Sequence, residues 1–273
     1  MKLLNGKELA GYIKQRQAHD VRALRQAWHI TPKLAIIVTI DHPVIDVYVR
    51  VKQRYGADLG VEVDVHRVEQ SAVPQLIEDL NSDVSVHGVI VQLPLQDPAQ
   101  TEELVNMVAP QKDVDALGRD AAFDPATPMA ILWLLAGYNV ELRDKNILLI
   151  GRGKLVGAPL EKMLKASGLH VSVADRETED LKSMTAEADI IITATGSPAI
   201  LHPEMIKYGA TIVDAGVASE DGKTVGDVAP DVYNREDIRI TPTKGGVGPL
   251  TVSALFENVI RSARRVAEAQ QTN

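Results

Sequence analysis

The sequence predicts an α/β protein built as two doubly wound lobes flanking a cleft. Short apolar, β-branched runs alternate with helical segments in two separate series along the chain. Between them lies Pro110 to Pro128, rich in turn formers and poor in periodicity, which reads as the join between lobes. In the second series an apolar strand runs directly into a glycine turn and then a helix. A chain of 273 residues with 45% hydrophobic and 24% charged content suits two modest cores.

Residues 7–28 are rich in Ala, Leu, Gln, Lys and Arg, with apolar side chains at Leu9, Ile13, Val21 and Leu24, and predict a helix ending before Pro32. Leu34 to Ile40 is short, apolar and β-branched, as a strand buried on both faces should be. Pro43 can open the next helix, which carries Tyr48 and Lys52 and ends near Gly60. The alternation continues with a strand over 61–65, a helix over 73–80, a strand over 86–92 and a helix over 101–108. A helix over 127–136 follows the join.

The second series has strands over 147–150, 170–174, 189–194 and 211–214. Between the first two lies Gly151-Arg-Gly-Lys-Leu-Val-Gly157. Gly151 permits the tight turn, Gly153 lets backbone approach a pyrophosphate, and Gly157 allows close helix packing. The next strand ends at Asp175, where a cofactor ribose would sit. The second lobe is therefore expected to be a Rossmann-type dinucleotide-binding domain. Thr241 to Pro249 is too rich in Gly and Pro for regular structure and leads into a final helix over 250–267.

A net charge of −8 argues against a general nucleic-acid or anionic-membrane surface. The absence of cysteine excludes disulfides, thiolate nucleophiles and cysteine metal sites, and suits a reducing cytoplasm. Met1 to Glu8 lacks the apolar core of a signal peptide, and no apolar run approaches the roughly 20 residues of a membrane helix. No His, Asp and Glu grouping has metal spacing and no Ser-His-Asp arrangement is legible, so no metal is expected.

Tyr48 and Lys52 are four apart and share one helix face, a spacing that also arises by chance on many surface helices. Gln92 adds weight, because it interrupts an apolar run just before Pro94, at the carboxyl end of a strand where open α/β sheets place ligands. A buried amide needs a partner, and a lysine amine is a good one. Lys112-Asp-Val-Asp115 adds two carboxylates, of which Asp113 reads as part of a solvated turn.

Taken in order, Leu4-Asn-Gly-Lys7, Tyr48-Val-x-x-Lys52, Gly88 to Leu95, Lys112-Asp-Val-Asp115, Thr127-Pro128, Gly151 to Pro159, Val225-Gly-Asp-Val228 and Gly245 to Pro249 resemble the bifunctional methylenetetrahydrofolate dehydrogenase/cyclohydrolase family. The resemblance implies oxidation of methylenetetrahydrofolate by hydride transfer to a nicotinamide, then hydrolysis of the methenyl product to formyltetrahydrofolate at the same site. It implies that Lys52 is the catalytic lysine, Tyr48 the aromatic against the folate, Gln92 the amide that holds the lysine, and Asp115 the folate-anchoring carboxylate, with Leu93, Pro94, Gly246, Gly248 and Pro249 also against substrate. Cofactor contacts fall to Gly151, Arg152, Gly153, Lys154, Val156, Gly157, Asp175, Arg176, Thr195, Gly196 and Gly216. Arg152 and Arg176 favour NADP, whereas Asp175 suits the free ribose hydroxyl of NAD, so NADP is expected and NAD stays open. A cytoplasmic homodimer is implied as well. The implied domains are 1–120 with a C-terminal helix over 250–273 for folate and catalysis, and 121–249 for the dinucleotide.

The chain departs from the family's usual pattern around the implied pocket. Ile40 and Ile45 stand for Gly and Ser, Ala116 for the glycine after the second aspartate, Ala126 and Ala130 for Cys and Gly, and Thr243-Lys244 for Val-Pro. The segment between Asp115 and Pro125 is also short. Loss of the serine hydroxyl bears most on water handling in the hydrolytic step. Three alternative readings follow: an NAD-dependent dehydrogenase with weak or lost cyclohydrolase activity, a non-catalytic folate or nucleotide binder, and an oxidoreductase of another small substrate.

Overall fold

The computed structural model describes residues 1–220 and 223–271. In chain order its main elements begin with β1 (Lys2–Leu3), α1 (Gly6–Trp28), β2 (Lys33–Val38), α2 (Pro43–Leu59), β3 (Glu62–Arg67), α3 (Val73–Ser82), β4 (Gly88–Val91) and α4 (Thr101–Met107). They continue with α5 (Ala126–Gly137), β5 (Ile147–Ile150), α6 (Gly157–Ala166), β6 (Val171–Ala174), α7 (Leu181–Glu187), β7 (Ile190–Thr193), β8 (Thr211–Asp214), β9 (Ala218–Glu220), β10 (Lys223–Val225), β11 (Arg239–Ile240) and α8 (Val247–Gln271). Two compact units result. One comprises Gly11–Ala126 with the chain from Val252 onward, and the other Met1–Ala10 with Thr127–Thr251. No helix among the described residues is long and apolar enough to cross a membrane.

The first unit holds a parallel sheet in the order β3-β2-β4. Its central strand is buried from Leu34 to Val38, which is why it reads as an unbroken apolar run. Pro43 opens α2, the His42 ring accepts the Val44 N–H at 3.2 Å, and Gly60 closes the helix at φ 81°. The buried stripe of α2 is Ile45, Val49, Gly56 and Leu59, and the alternating three- and four-residue spacing places Lys52 on that same stripe. A Cβ on Gly56 would fall 2.4 Å from Val63, so glycine brings α2 close onto β3. On the other flank Tyr55 donates to Gln17 at 2.8 Å and lies 2.9 Å from the Ser253 hydroxyl, tying α1, α2 and α8 together. Burial pushes the Tyr55 phenol up to about 12.

The second unit has a six-stranded parallel sheet in the order β1-β11-β8-β7-β5-β6. Strands β6 and β7 flank β5 on opposite sides, so winding reverses there and the loops leaving β5 and β7 meet at a topological switch point. The core beneath contains Leu148, Ile150, Ile191 and Ile212.

Several elements differ from the sequence reading. The two-residue strands β1 and β11, the β9–β10 hairpin and α7 were not anticipated, because such short segments carry no periodicity. Strand β1 pairs with β11, which puts Met1–Ala10 in the second unit rather than within the expected 1–120 domain. Lys7 N–H donates to Gly245 O at 2.9 Å and a Cβ on Gly6 would fall 1.8 Å from Gly246 O, so the head of α1 packs directly on the late glycine loop. Helix α8 starts at Val247, three residues before the expected Leu250. The last two residues of the expected 250–273 helix, Thr272 and Asn273, lie outside the described residues.

Candidate active site

In the first unit β4 carries the chain to Gln92, whose backbone N–H still bonds Ile37 O at 2.9 Å. This holds Gln92 at the carboxyl end of the sheet. The Lys52 amine donates to Gln92 Oε1 at 2.6 Å, and the Gln92 amide nitrogen donates to Leu93 O at 3.0 Å. The Leu93–Pro94 bond is cis. Burial lowers the Lys52 pKa, opposed by the negative charge of Asp115, while burial raises Asp115, opposed by Lys52. Lys52, Gln92 and Asp115 therefore form one electrostatic unit. Tyr48, one turn before Lys52, presents its ring to solvent with 49% exposure, and Pro94 is also exposed. Ile45 is buried, so the position implied to carry a hydroxyl is apolar and dry.

The segment Lys112–Asp115 explains how Asp115 arrives there. Lys112 donates to the carbonyls of Leu80, Asn81 and Asp83 at 2.9, 2.8 and 2.6 Å, satisfying the end of α3. Val89 N–H bonds Lys112 O at 2.8 Å, so the segment runs beside β4, and Val114 is fully buried. The reading of Asp113 as solvated is corrected: it is buried and accepts the Gly118 N–H at 2.7 Å and the Leu117 N–H at 3.4 Å, closing the turn around Ala116. Sequence alone missed this because a charged run looks the same whether it faces water or its own backbone.

Burial raises Asp113 to about 6, against an unfolded value near 3.9. Its protonated form favours the fold, and that contribution is complete below about pH 4 and lost as pH rises through about 6. The stability of Asp113→Asn relative to the parent should therefore increase by on the order of 2–3 kcal/mol between pH 4 and pH 7.5. Urea unfolding at both pH values measures the difference, and parallel pH curves for the two proteins would refute it.

Ala116 sits at φ 54°, the left-handed region in which a Cβ is strained. This is why a glycine suits the position. Ala116→Gly should raise unfolding stability by about 0.5–1 kcal/mol, and a loss of stability in denaturant titration would contradict the assignment of strain.

In the second unit Gly151 leaves β5 at φ 101°, and a Cβ there would lie 2.6 Å from Ala194 O, so the turns after β5 and β7 are in contact. Gly157 opens α6, and a Cβ there would lie 2.0 Å from Gly151 O. Gly153 is exposed, with nothing among the described residues beyond its chain neighbours within 4 Å of where a Cβ would be, and Lys154 is exposed beside it. Arg152 is held by Glu161 at 2.9 Å, and Glu161 also accepts from Lys165 at 2.7 Å. Val156 precedes α6 in the turn. Asp175 and Arg176 are exposed after β6, and Asp175 Oδ1 accepts the Glu177 N–H at 3.0 Å, which commits that oxygen to its own turn. Thr195, Gly196 and Gly216 line the turns after β7 and β8. The open glycine turn, the start of α6 and the nearby cations fit a dinucleotide pyrophosphate.

The structure thus brings Tyr48, Lys52, Gln92, Leu93, Pro94 and Asp115 into the first unit, and the expected cofactor residues into the second. Gly246, Gly248 and Pro249, expected at substrate, belong to the second unit, at the head of α8.

A Rossmann-type sheet with an open glycine cradle, joined to an α/β unit carrying a desolvated lysine, defines a nicotinamide-dependent oxidoreductase class. Residues 4–115 match the catalytic domain of tetrahydrofolate dehydrogenase/cyclohydrolase, and residues 125–267 match its NAD(P)-binding domain. The bifunctional protein FolD of Lactobacillus acidophilus is 36% identical over 97% of this chain and 98% of its own. The solved bifunctional FolD of Campylobacter jejuni superposes with a TM-score of 0.92 at 35% identity, covering 97% of this chain and 99% of that one. The methylenetetrahydrofolate dehydrogenase-cyclohydrolase of Trypanosoma brucei, solved with NADP and an inhibitor, gives 0.89 at 29% identity, covering 96% and 97%. The chain belongs to the tetrahydrofolate dehydrogenase/cyclohydrolase family.

Proposed function

We propose that the protein oxidises 5,10-methylenetetrahydrofolate to the 5,10-methenyl form with NADP and hydrolyses that product to 10-formyltetrahydrofolate, as an enzyme of one-carbon metabolism. The observation that carries the reading is the Lys52 amine, desolvated and held 2.6 Å from Gln92 Oε1, in a chain of this family.

Burial lowers the Lys52 pKa, which favours the neutral amine that a proton acceptor needs. One N–H of that amine is committed to Gln92, which orients the lone pair. Lys52 accepts a proton from the water that attacks the methenyl carbon and returns it to the ring nitrogen as the carbon–nitrogen bond opens, while the remaining hydroxyl proton leaves to solvent and the oxygen becomes the formyl carbonyl. Asp115 accepts hydrogen bonds from the folate ring, and its charge beside Lys52 sets how readily the amine takes up the proton. Tyr48 offers an exposed ring for the substrate to stack on, with Leu93 and Pro94 beside Gln92 and with Gly246, Gly248 and Pro249 as further substrate contacts. Gly151, Gly153 and Gly157 cradle the pyrophosphate, Arg152, Lys154 and Arg176 supply positive charge to the phosphates, and Val156, Thr195, Gly196 and Gly216 complete the contacts. When bound, the nicotinamide supplies the hydride acceptor. The related Trypanosoma brucei enzyme solved with NADP supports NADP as the cofactor here.

A time course with methylenetetrahydrofolate, run separately with NADP and NAD while following reduced nicotinamide and methenyl product, tests this. Reduced cofactor with NADP and no methenyl build-up beyond its spontaneous decay is expected. Accumulating methenyl product would remove the hydrolytic half, and silence with both cofactors would favour a non-catalytic binder. A cytoplasmic homodimer is the proposed state on the family resemblance, and light scattering at about twice 29.6 kDa checks the dimer.

A further inference from the structure

The Val225-Gly-Asp-Val228 motif has no role in the chemistry above, yet it carries a fully buried carboxylate, Asp227. Asp227 Oδ2 accepts the Thr195 N–H at 2.7 Å, and Oδ1 is buried with no hydrogen-bond partner among the described residues. That second oxygen points at Gly216, where a Cβ would fall 2.0 Å from it. Asp214, at the end of β8, is the reciprocal half. Its Oδ1 accepts the N–H groups of Gly216 and Asp227 at 3.0 and 3.1 Å, and its Oδ2 accepts that of Val228 at 3.1 Å. A Cβ on Gly226 would lie 2.0 Å from Asp214 Oδ2. Each glycine thus leaves room for the other segment's carboxylate, and the interlock closes the neck from which the β9–β10 hairpin departs. From this neck Asp227 reaches across to the β7 turn, where Gly196 packs 3.4 Å from Val217 O as measured from its missing Cβ.

We propose that Asp227, held by Asp214, is a positioning residue for the dinucleotide: its carboxylate fixes the Thr195–Gly196 turn and seats Gly216 beside it. The inference rests on the proposed cofactor reading of those turns. An uncompensated buried oxygen is a cost to the fold, and here it accompanies the placement of two turns rather than a core contact. The same geometry fixes what each substitution does. Asparagine keeps an oxygen acceptor for the Thr195 N–H, alanine removes it, and serine is too short to reach it.

The test measures NADP dissociation constants and, separately, hydrolysis of preformed methenyltetrahydrofolate, which requires no dinucleotide. Asp227→Ala and Asp227→Ser should each weaken NADP at least about tenfold, Asp227→Asn should recover most of that loss, and hydrolysis should persist in all three. Parent-like NADP affinity in the alanine and serine variants would overturn the proposal. So would an equal loss of binding and hydrolysis, or failure of both variants to fold, because Asp227 would then be a structural support of the whole protein. Absence of NADP binding by the unsubstituted protein would overturn the proposed function itself, and this inference with it.

Discussion

Lys52→Met lowers hydrolysis of 5,10-methenyltetrahydrofolate by about 10²–10⁴-fold, the range a single general acid–base group supplies, while NADP binding persists. Methionine keeps the length and apolar stem that pack along the buried stripe of α2 between Val49 and Gly56, and deletes only the amine. Two consequences separate catalysis from packing. Gln92 Oε1 loses the donor that sits 2.6 Å away, at about 1–3 kcal/mol, and Asp115 loses the charge that opposes its burial, so unfolding in denaturant is measured beside activity to separate stability from chemistry. The pH profile changes as well. Burial lowers the Lys52 pKa, so parental hydrolysis rises as pH increases through that lowered value and the neutral amine becomes available. In Lys52→Met that rising limb disappears. Stopped-flow absorbance of the methenyl chromophore across pH measures both effects, and unchanged formyl product formation would remove Lys52 from the mechanism.

Much of the frame was legible before any coordinates, and the reasons are local. Strands β2, β5 and β7 are buried on both faces and read as apolar runs, and α2 announces both its ends through Pro43 and Gly60. Gln92 was conspicuous as a lone amide in an apolar strand, and its lysine partner lay on a helix whose face could be counted. The parts that were not legible depend on contacts between distant residues. Strand β1 exists only because β11 lies beside it. Asp113 looked like surface charge because nothing in four residues shows that the backbone folds over its carboxylate. Asp214 and Asp227 are thirteen residues apart, and nothing in the sequence shows that Gly216 and Gly226 each leave room for the other segment's carboxylate. Strain at Ala116 was foreshadowed by the family pattern, whereas its cause, φ 54°, required the backbone itself.

Gly153→Ala and Gly157→Ala both abolish tight NADP binding, for different physical reasons. At Gly157 an added Cβ would lie 2.0 Å from Gly151 O, 2.8 Å from Gly151 C and 3.0 Å from Arg152 Cα. All three atoms are backbone, so no side chain can turn aside and the turn must open. Gly151 cannot absorb the shift, since it is already at φ 101° with Ala194 O 2.6 Å from its own missing Cβ. Gly157→Ala therefore lowers the unfolding free energy by about 1–3 kcal/mol and weakens NADP by roughly 100-fold, equivalent to about 2.7 kcal/mol. At Gly153 no atom of the described residues, its own chain neighbours apart, lies within 4 Å of an added Cβ. Gly153→Ala should leave thermal stability at the parental value, and its weaker NADP binding then comes from the methyl group standing where the pyrophosphate approaches the backbone. Thermal unfolding and NADP titration on the same preparations distinguish the two. A Gly153→Ala protein that binds NADP like the parent would mean that the phosphate does not lie against this turn, even though the strand–glycine–helix frame is present.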